Sequence, residues 1–106
     1  MPKYMFMANY VGAGVTGLLK EGGTGRKAAI EKLAQSVGAK LEALYYAFGE
    51  YDAYVIVDAP DNAVASAVAL TVNSSGAAVV KTVVLMTPEE LDGAVKKSPS
   101  YRAPGK

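Results

Sequence analysis

The spacing of apolar positions changes several times along the chain, and each change marks an element. Residues 3–11, KYMFMANYV, are dense in aromatic and methionine side chains and end at Gly12, the pattern of a first strand. Residues 13–23 leave room for one helical turn around Leu18 and Leu19 before the Gly22-Gly23 pair interrupts it. Ile30, Leu33, Ala34 and Val37 then recur at i, i+3, i+4 and i+7, which predicts a helix capped by Thr24 and stopped at Gly38. Residues 40–48 and 51–58 are mostly apolar, aromatic or β-branched, with Gly49-Glu50 between them. A two-residue connection beginning with glycine predicts a type II′ hairpin turn, with positive φ at Gly49. The implied register sets Phe48 against Tyr51, Tyr46 against Ala53 and Tyr45 against Tyr54.

Beyond Asp58-Ala59-Pro60-Asp61, the residues Val64, Ala67, Val68, Thr71 and Val72 share one helical face, and the stretch closes at Asn73-Ser74-Ser75-Gly76. Residues 77–86 read as a fourth strand. Thr87-Pro88-Glu89-Glu90 then has the form of a capping box with proline at the first helical position, opening a short helix to about Lys97. Residues 98–106, with two prolines and a glycine, read as an irregular tail on a domain of residues 1–97. The order βαββαβ plus a terminal helix, with right-handed crossovers and an antiparallel central hairpin, predicts an α+β fold of the ferredoxin-like split-sandwich type.

In such a fold the helices cover one face of the sheet. Yet Tyr4, Phe6, Ala8 and Tyr10 take one parity of the first strand while Met5 and Met7 take the other, and Val79, Val83 and Leu85 oppose Val80, Val84 and Met86 in the fourth. A sheet open to water on one side alternates apolar with polar residues. The uncovered face is therefore expected to pack against a second copy of the chain, as a homodimer or a larger even-numbered assembly.

At 106 residues the chain is long enough for one domain and too short for two. Lys and Arg number 11 against 10 Asp and Glu, and this net charge of +1 gives no electrostatic case for binding nucleic acid or a membrane surface. Cysteine and histidine are absent, which removes disulfides, thiolate and imidazole metal ligands, the Cys or His nucleophile, and the usual general base near neutral pH. Glu42, Asp58 and Asp61 are scattered, so no metal site is expected. No basic leader precedes an apolar core, and no apolar run reaches the roughly 18 residues of a membrane span, so a soluble cytoplasmic protein is expected.

Two glycine-rich stretches invite functional readings. Gly12-Ala-Gly14-Val-Thr-Gly17 matches G-x-G-x-x-G directly after a strand, where a dinucleotide fingerprint would stand. The helix that should carry the pyrophosphate is broken at Gly22-Gly23 and the next strands form an antiparallel hairpin, so the stretch is read as a flexible loop and no cofactor is assigned. Gly22-Gly23-Thr24-Gly25-Arg26-Lys27 lies at a helix N-terminus beside two cations, an arrangement that attracts anions. Its first reading is a mobile loop closed by the Thr24 cap, with a phosphate or carboxylate site as the alternative.

The hairpin residues Phe48-Gly49-Glu50-Tyr51-Asp52, the strand from Ala53 to Asp58 and the following Ala59-Pro60-Asp61 resemble the signature of the GYD domain family. The resemblance extends to the opening Met1-Pro2-Lys3-Tyr4 and to Lys81-Thr-Val-Val-Leu85, whereas the 22–27 loop and the part after Thr87 look like elaborations on a shorter pattern. It implies a ferredoxin-like domain of the dimeric α/β-barrel type and transfers no reaction.

Tyr10, Tyr45, Tyr46, Tyr51 and Tyr54 put five phenols on three adjoining strands, and Lys81 interrupts an otherwise apolar one. Tyrosine and lysine can act as acid and base when burial shifts their pKa, but aromatics are also ordinary strand and interface residues, and that is the first reading. Asp52 is likewise read as a backbone acceptor near the turn or as a base. The first two strands run parallel in this topology, so the connections after Gly12, around Gly49 and at Ser74-Ser75 share one end of the sheet. A ligand site is expected there, built from Tyr10, Arg26, Tyr46, Tyr51 and Asp52, with Lys81 as a further binding group for a small organic or anionic ligand. Residue types this generic name no catalytic residue. The leading function is a homo-oligomeric small-molecule-binding domain, with cofactor-independent enzyme activity as an extension; the competing class is a non-catalytic structural or regulatory assembly module.

Overall fold

The computed structural model describes residues 1–106. Its elements are β1 (Lys3–Tyr10), α1 (Ala13–Ser36), β2 (Lys40–Tyr46), β3 (Ala53–Asp58), α2 (Asn62–Ser74), β4 (Ala78–Leu85) and α3 (Pro88–Val95). The strands form one sheet in the order β2-β3-β1-β4, and every neighbouring pair is antiparallel. The fold is α+β and ferredoxin-like, with α1 and α2 on the same face.

That face carries the core. Tyr4, Phe6, Val55 and Val57 pack with Ala34 of α1, Ala65 of α2 and the connecting residues Ala39 and Ala59. Tyr4, only 2% exposed, satisfies its hydroxyl by donating to Asn62 Oδ1 at the start of α2, so a buried polar tip ties the central strand to its helix. Asp61 caps α2 by accepting the Val64 N–H at 2.9 Å.

The first helix departs from the expected single turn and flexible loop. It is helical over residues 13–21, breaks at Gly22 (φ 75°, ψ 171°) and resumes to Ser36. Thr24 lies inside the second segment and caps nothing; the backbone break at Gly22 takes that place. The opening segment is seated by backbone approach, since a Cβ on Gly14 would stand 1.8 Å from the Ala77 carbonyl oxygen. No broad apolar stripe announces it, and Leu19 is 82% exposed. The stop is as expected, with Gly38 at φ 73° and the Ala39 N–H returning to the Ala34 carbonyl.

The hairpin keeps the expected register, Tyr45 against Tyr54 and Tyr46 against Ala53, but not the expected turn. Gly49 is not at positive φ, so no type II′ turn forms, and the strands end at Tyr46 and begin again at Ala53. Asp52 explains the change. Its N–H donates to the Ala8 carbonyl and its carboxylate accepts the Tyr10 N–H, both at 2.9 Å, so β1 holds this residue while Ala47 N–H closes a longer loop onto the Asp52 carbonyl. Phe48 and Tyr51 lie in that loop rather than in the ladder, and Phe48 is fully exposed.

A bulge between Leu41 and Ala43 puts Glu42 out of register. Lys3 reaches both Glu42 and Asp58 at 2.9 Å, joining three strands at one end of the open face. Thr87 and Glu90 form the reciprocal capping box of α3. That helix packs extensively against no other element, and the radius of gyration, 16.8 Å, exceeds the roughly 13 Å of a compact domain of this length. No helix is long and apolar enough to cross a membrane.

Candidate functional site

Between the helices and the covered sheet face lies a cavity of about 90 Å³. Its origin is a shortage of side-chain volume. The register puts Tyr46, Ala53, Ala8 and Val80 in one row across the four strands and sets Tyr10 beside Ala78 in the next. Ala34 and Ala65 of the helices and Ala39 and Ala59 of the connections line the same space toward the other end of the sheet, beside Val55 and Val57. Methyl groups stand where larger side chains would meet, and the space remains open.

The cavity wall is apolar except at Arg26 and the Tyr10 phenol. Arg26 sits in the first turn after the Gly22 kink, with its side chain 33% exposed. Its Nε is buried and has no hydrogen-bond partner, while its Nη1 lies 3.6 Å from Glu21 across the kink. Tyr46 belongs to the same group: its hydroxyl donates to the Gly23 carbonyl at 2.9 Å. Burial pushes the Tyr46 phenol above its ordinary pKa of 10.0, the neighbouring Tyr10 adds to the shift, and Arg26 opposes it. Both effects in favour keep Tyr46 protonated near neutral pH, as a donor rather than an anion.

Of the residues expected at the site, Tyr10, Arg26 and Tyr46 are brought together. Asp52 is adjacent but engaged, since its carboxylate holds the Tyr10 N–H and so positions that strand end. Tyr51 packs edge-on against Tyr54, with ring centroids 5.9 Å apart, and Tyr54 lies on the opposite face. Lys81 must be corrected. It pairs with Met7 and shares parity with Val79 and Val83, so it stands on the open face, away from the cavity that Ala78 and Val80 line. The loop expected at residues 22–27 is a helix with one break, from which Arg26 turns inward and Lys27 stays exposed. The glycines of the rejected dinucleotide pattern open α1, where Gly14 meets Ala77.

The lining alanines escaped notice, because an alanine at a core position reads as ordinary close packing. That Ala8, Ala53 and Ala78 share the covered face near one end of the sheet was recoverable from strand parity and register. Chemically the arrangement offers a partly open apolar pocket with one cation, Arg26, and the Tyr10 phenol on its wall. No three Asp or Glu side chains converge as a metal site would require.

No curated protein and no solved structure matches the chain significantly. A family model, the GYD domain, matches residues 4–95, a span that takes in the kinked helix and α3, both of which had looked like additions to the family pattern. The central strands, the Phe48–Asp52 loop and the cavity between sheet and helices all lie within that span, and the chain belongs to the GYD domain family.

Proposed function

We propose that this GYD-domain protein binds a small molecule in the cavity between sheet and helices and works as a homo-oligomer associated through the open sheet face. The observation that carries the binding reading is an apolar pocket of about 90 Å³ whose single charged group, Arg26, holds a buried and unpartnered Nε. Well-packed cores leave few voids of this size, so a fully packed interior would have favoured a module that only assembles. The association reading is supported by a face bearing Met5, Met7, Tyr54, Ile56, Val79 and Val83 with no element of the chain laid over it.

Toluene, a neutral apolar probe, tests the binding reading without presuming a head group. Titration should shift the methyl resonances of Ala34, Ala53 and Ala65 and raise the melting temperature, and Ala34→Leu, which occupies the space, should abolish both effects. A wild-type protein that takes up no toluene to its solubility limit would leave the assembly module as the better reading.

A further inference from the structure

We propose that the ligand is a small monocarboxylic acid with an apolar body, its carboxylate held side-on by Nε and one Nη of Arg26. The inference rests on the cavity being a binding site and specifies what fills it. A guanidinium cannot be neutralised at physiological pH, and a buried N–H without an acceptor loses the hydrogen bond that water gave it. Glu21 does not supply the missing acceptor, because it stands 3.6 Å from Nη1, beyond hydrogen-bond length, with a side chain 47% exposed. A single water is also a poor occupant. Against Arg26 and Tyr10 it would reach only the minimum of two polar partners, and it would leave most of a cavity of about 90 Å³ unfilled. A carboxylate presents two coplanar oxygens that match the Nε and Nη donors together.

The remaining wall chemistry limits the body of the ligand. With only the Tyr10 phenol beside Arg26 and apolar groups elsewhere on the wall, nothing pairs the hydroxyls of a sugar acid, and a single inward cation suits a monoanion rather than a phosphate dianion. At roughly 10–15 Å³ for each water-sized group, about 90 Å³ admits a body of about six to nine heavy atoms. Benzoate is of that size.

Benzoate and its neutral isostere benzamide separate the head-group claim from the cavity claim. Wild-type protein should bind benzoate at least tenfold more tightly than benzamide, as read by calorimetry at neutral pH. Arg26→Gln should remove that preference while thermal unfolding stays cooperative, and Arg26→Lys, which keeps charge without the planar fork, should retain only part of it. Toluene uptake with no preference for benzoate, or a preference that survives Arg26→Gln, would overturn the proposal and leave the cavity reading standing. Failure of toluene, benzoate and benzamide alike would overturn both.

Discussion

Gly14 and Gly17 stand three positions apart in one helix and carry opposite consequences. A methyl on Gly14 would collide with the Ala77 carbonyl oxygen, whereas one on Gly17 would meet nothing within 4 Å. Gly14→Ala should therefore destabilise the protein by about 1–3 kcal/mol through overpacking against backbone. Gly17→Ala should stabilise it by about 0.5–1 kcal/mol by lowering the entropy of the unfolded chain. Urea denaturation of the two variants checks the pair, and equal effects would show that the opening of α1 is not seated on Ala77. Two residues should weaken the fold at alkaline pH. Hydrogen bonds to Asp58 and Glu42 raise the Lys3 ammonium above 10.5, and burial raises the Tyr46 phenol above 10.0. In both cases the folded state holds its proton more tightly than the unfolded chain. Their stabilisation is complete below the unfolded values and is lost as pH rises through the folded ones. Melting temperature should fall above about pH 10, and Tyr46→Phe should flatten part of that fall. An unchanged slope in Tyr46→Phe would place the alkaline weakening elsewhere.

Among the elements, the hairpin shows what could be read from the chain and what could not. The pairing of Tyr45 with Tyr54 was read from the two-residue connection at Gly49-Glu50, and it holds although the turn itself is built differently. The turn was not legible, because its shape depends on Asp52, whose two bonds to β1 come from a strand more than forty residues away in sequence. Asp52→Ala should leave the Tyr10 N–H without its acceptor and cost about 1–3 kcal/mol by denaturant titration. Gly49→Ala should change stability by less than about 0.5 kcal/mol, since Gly49 is not at positive φ and no atom stands near its Cβ position. A large loss at Gly49 would restore the tight turn that the sequence suggested. The opening of α1 was hidden for a related reason: three glycines argue against a helix locally, and its seat on Ala77 is a tertiary contact. Topology alone placed Tyr10, Arg26 and Tyr46 at one end of the sheet. Lys81 was misplaced although its parity with Val79 and Val83 was already visible in the sequence.

At the scale of the whole molecule, the sheet has two unlike faces. Covered by α1 and α2, one face encloses the cavity. The other presents Ala43, Ile56, Met5 and Val83 in one row across the four strands and Tyr45, Tyr54, Met7 and Lys81 in the next, bordered by the Lys3, Glu42 and Asp58 cluster. A charge placed among these residues should separate the copies without entering the core. Val83 is 39% exposed in the single chain, so Val83→Glu should convert a dimer to a monomer in sedimentation equilibrium while unfolding stays cooperative. A wild-type monomer at micromolar concentration would refute association through this face.

The most direct test of a sheet with one binding face and one associating face is a methyl NMR titration with benzoate, using protein labelled at alanine and methionine. Resonances of Ala8, Ala53 and Ala78, in the rows at the Arg26 end of the cavity, should move as benzoate enters, while those of Met5 and Met7, on the opposite face, stay in place. Shifts at Met5 and Met7 with the alanines unmoved would contradict the account.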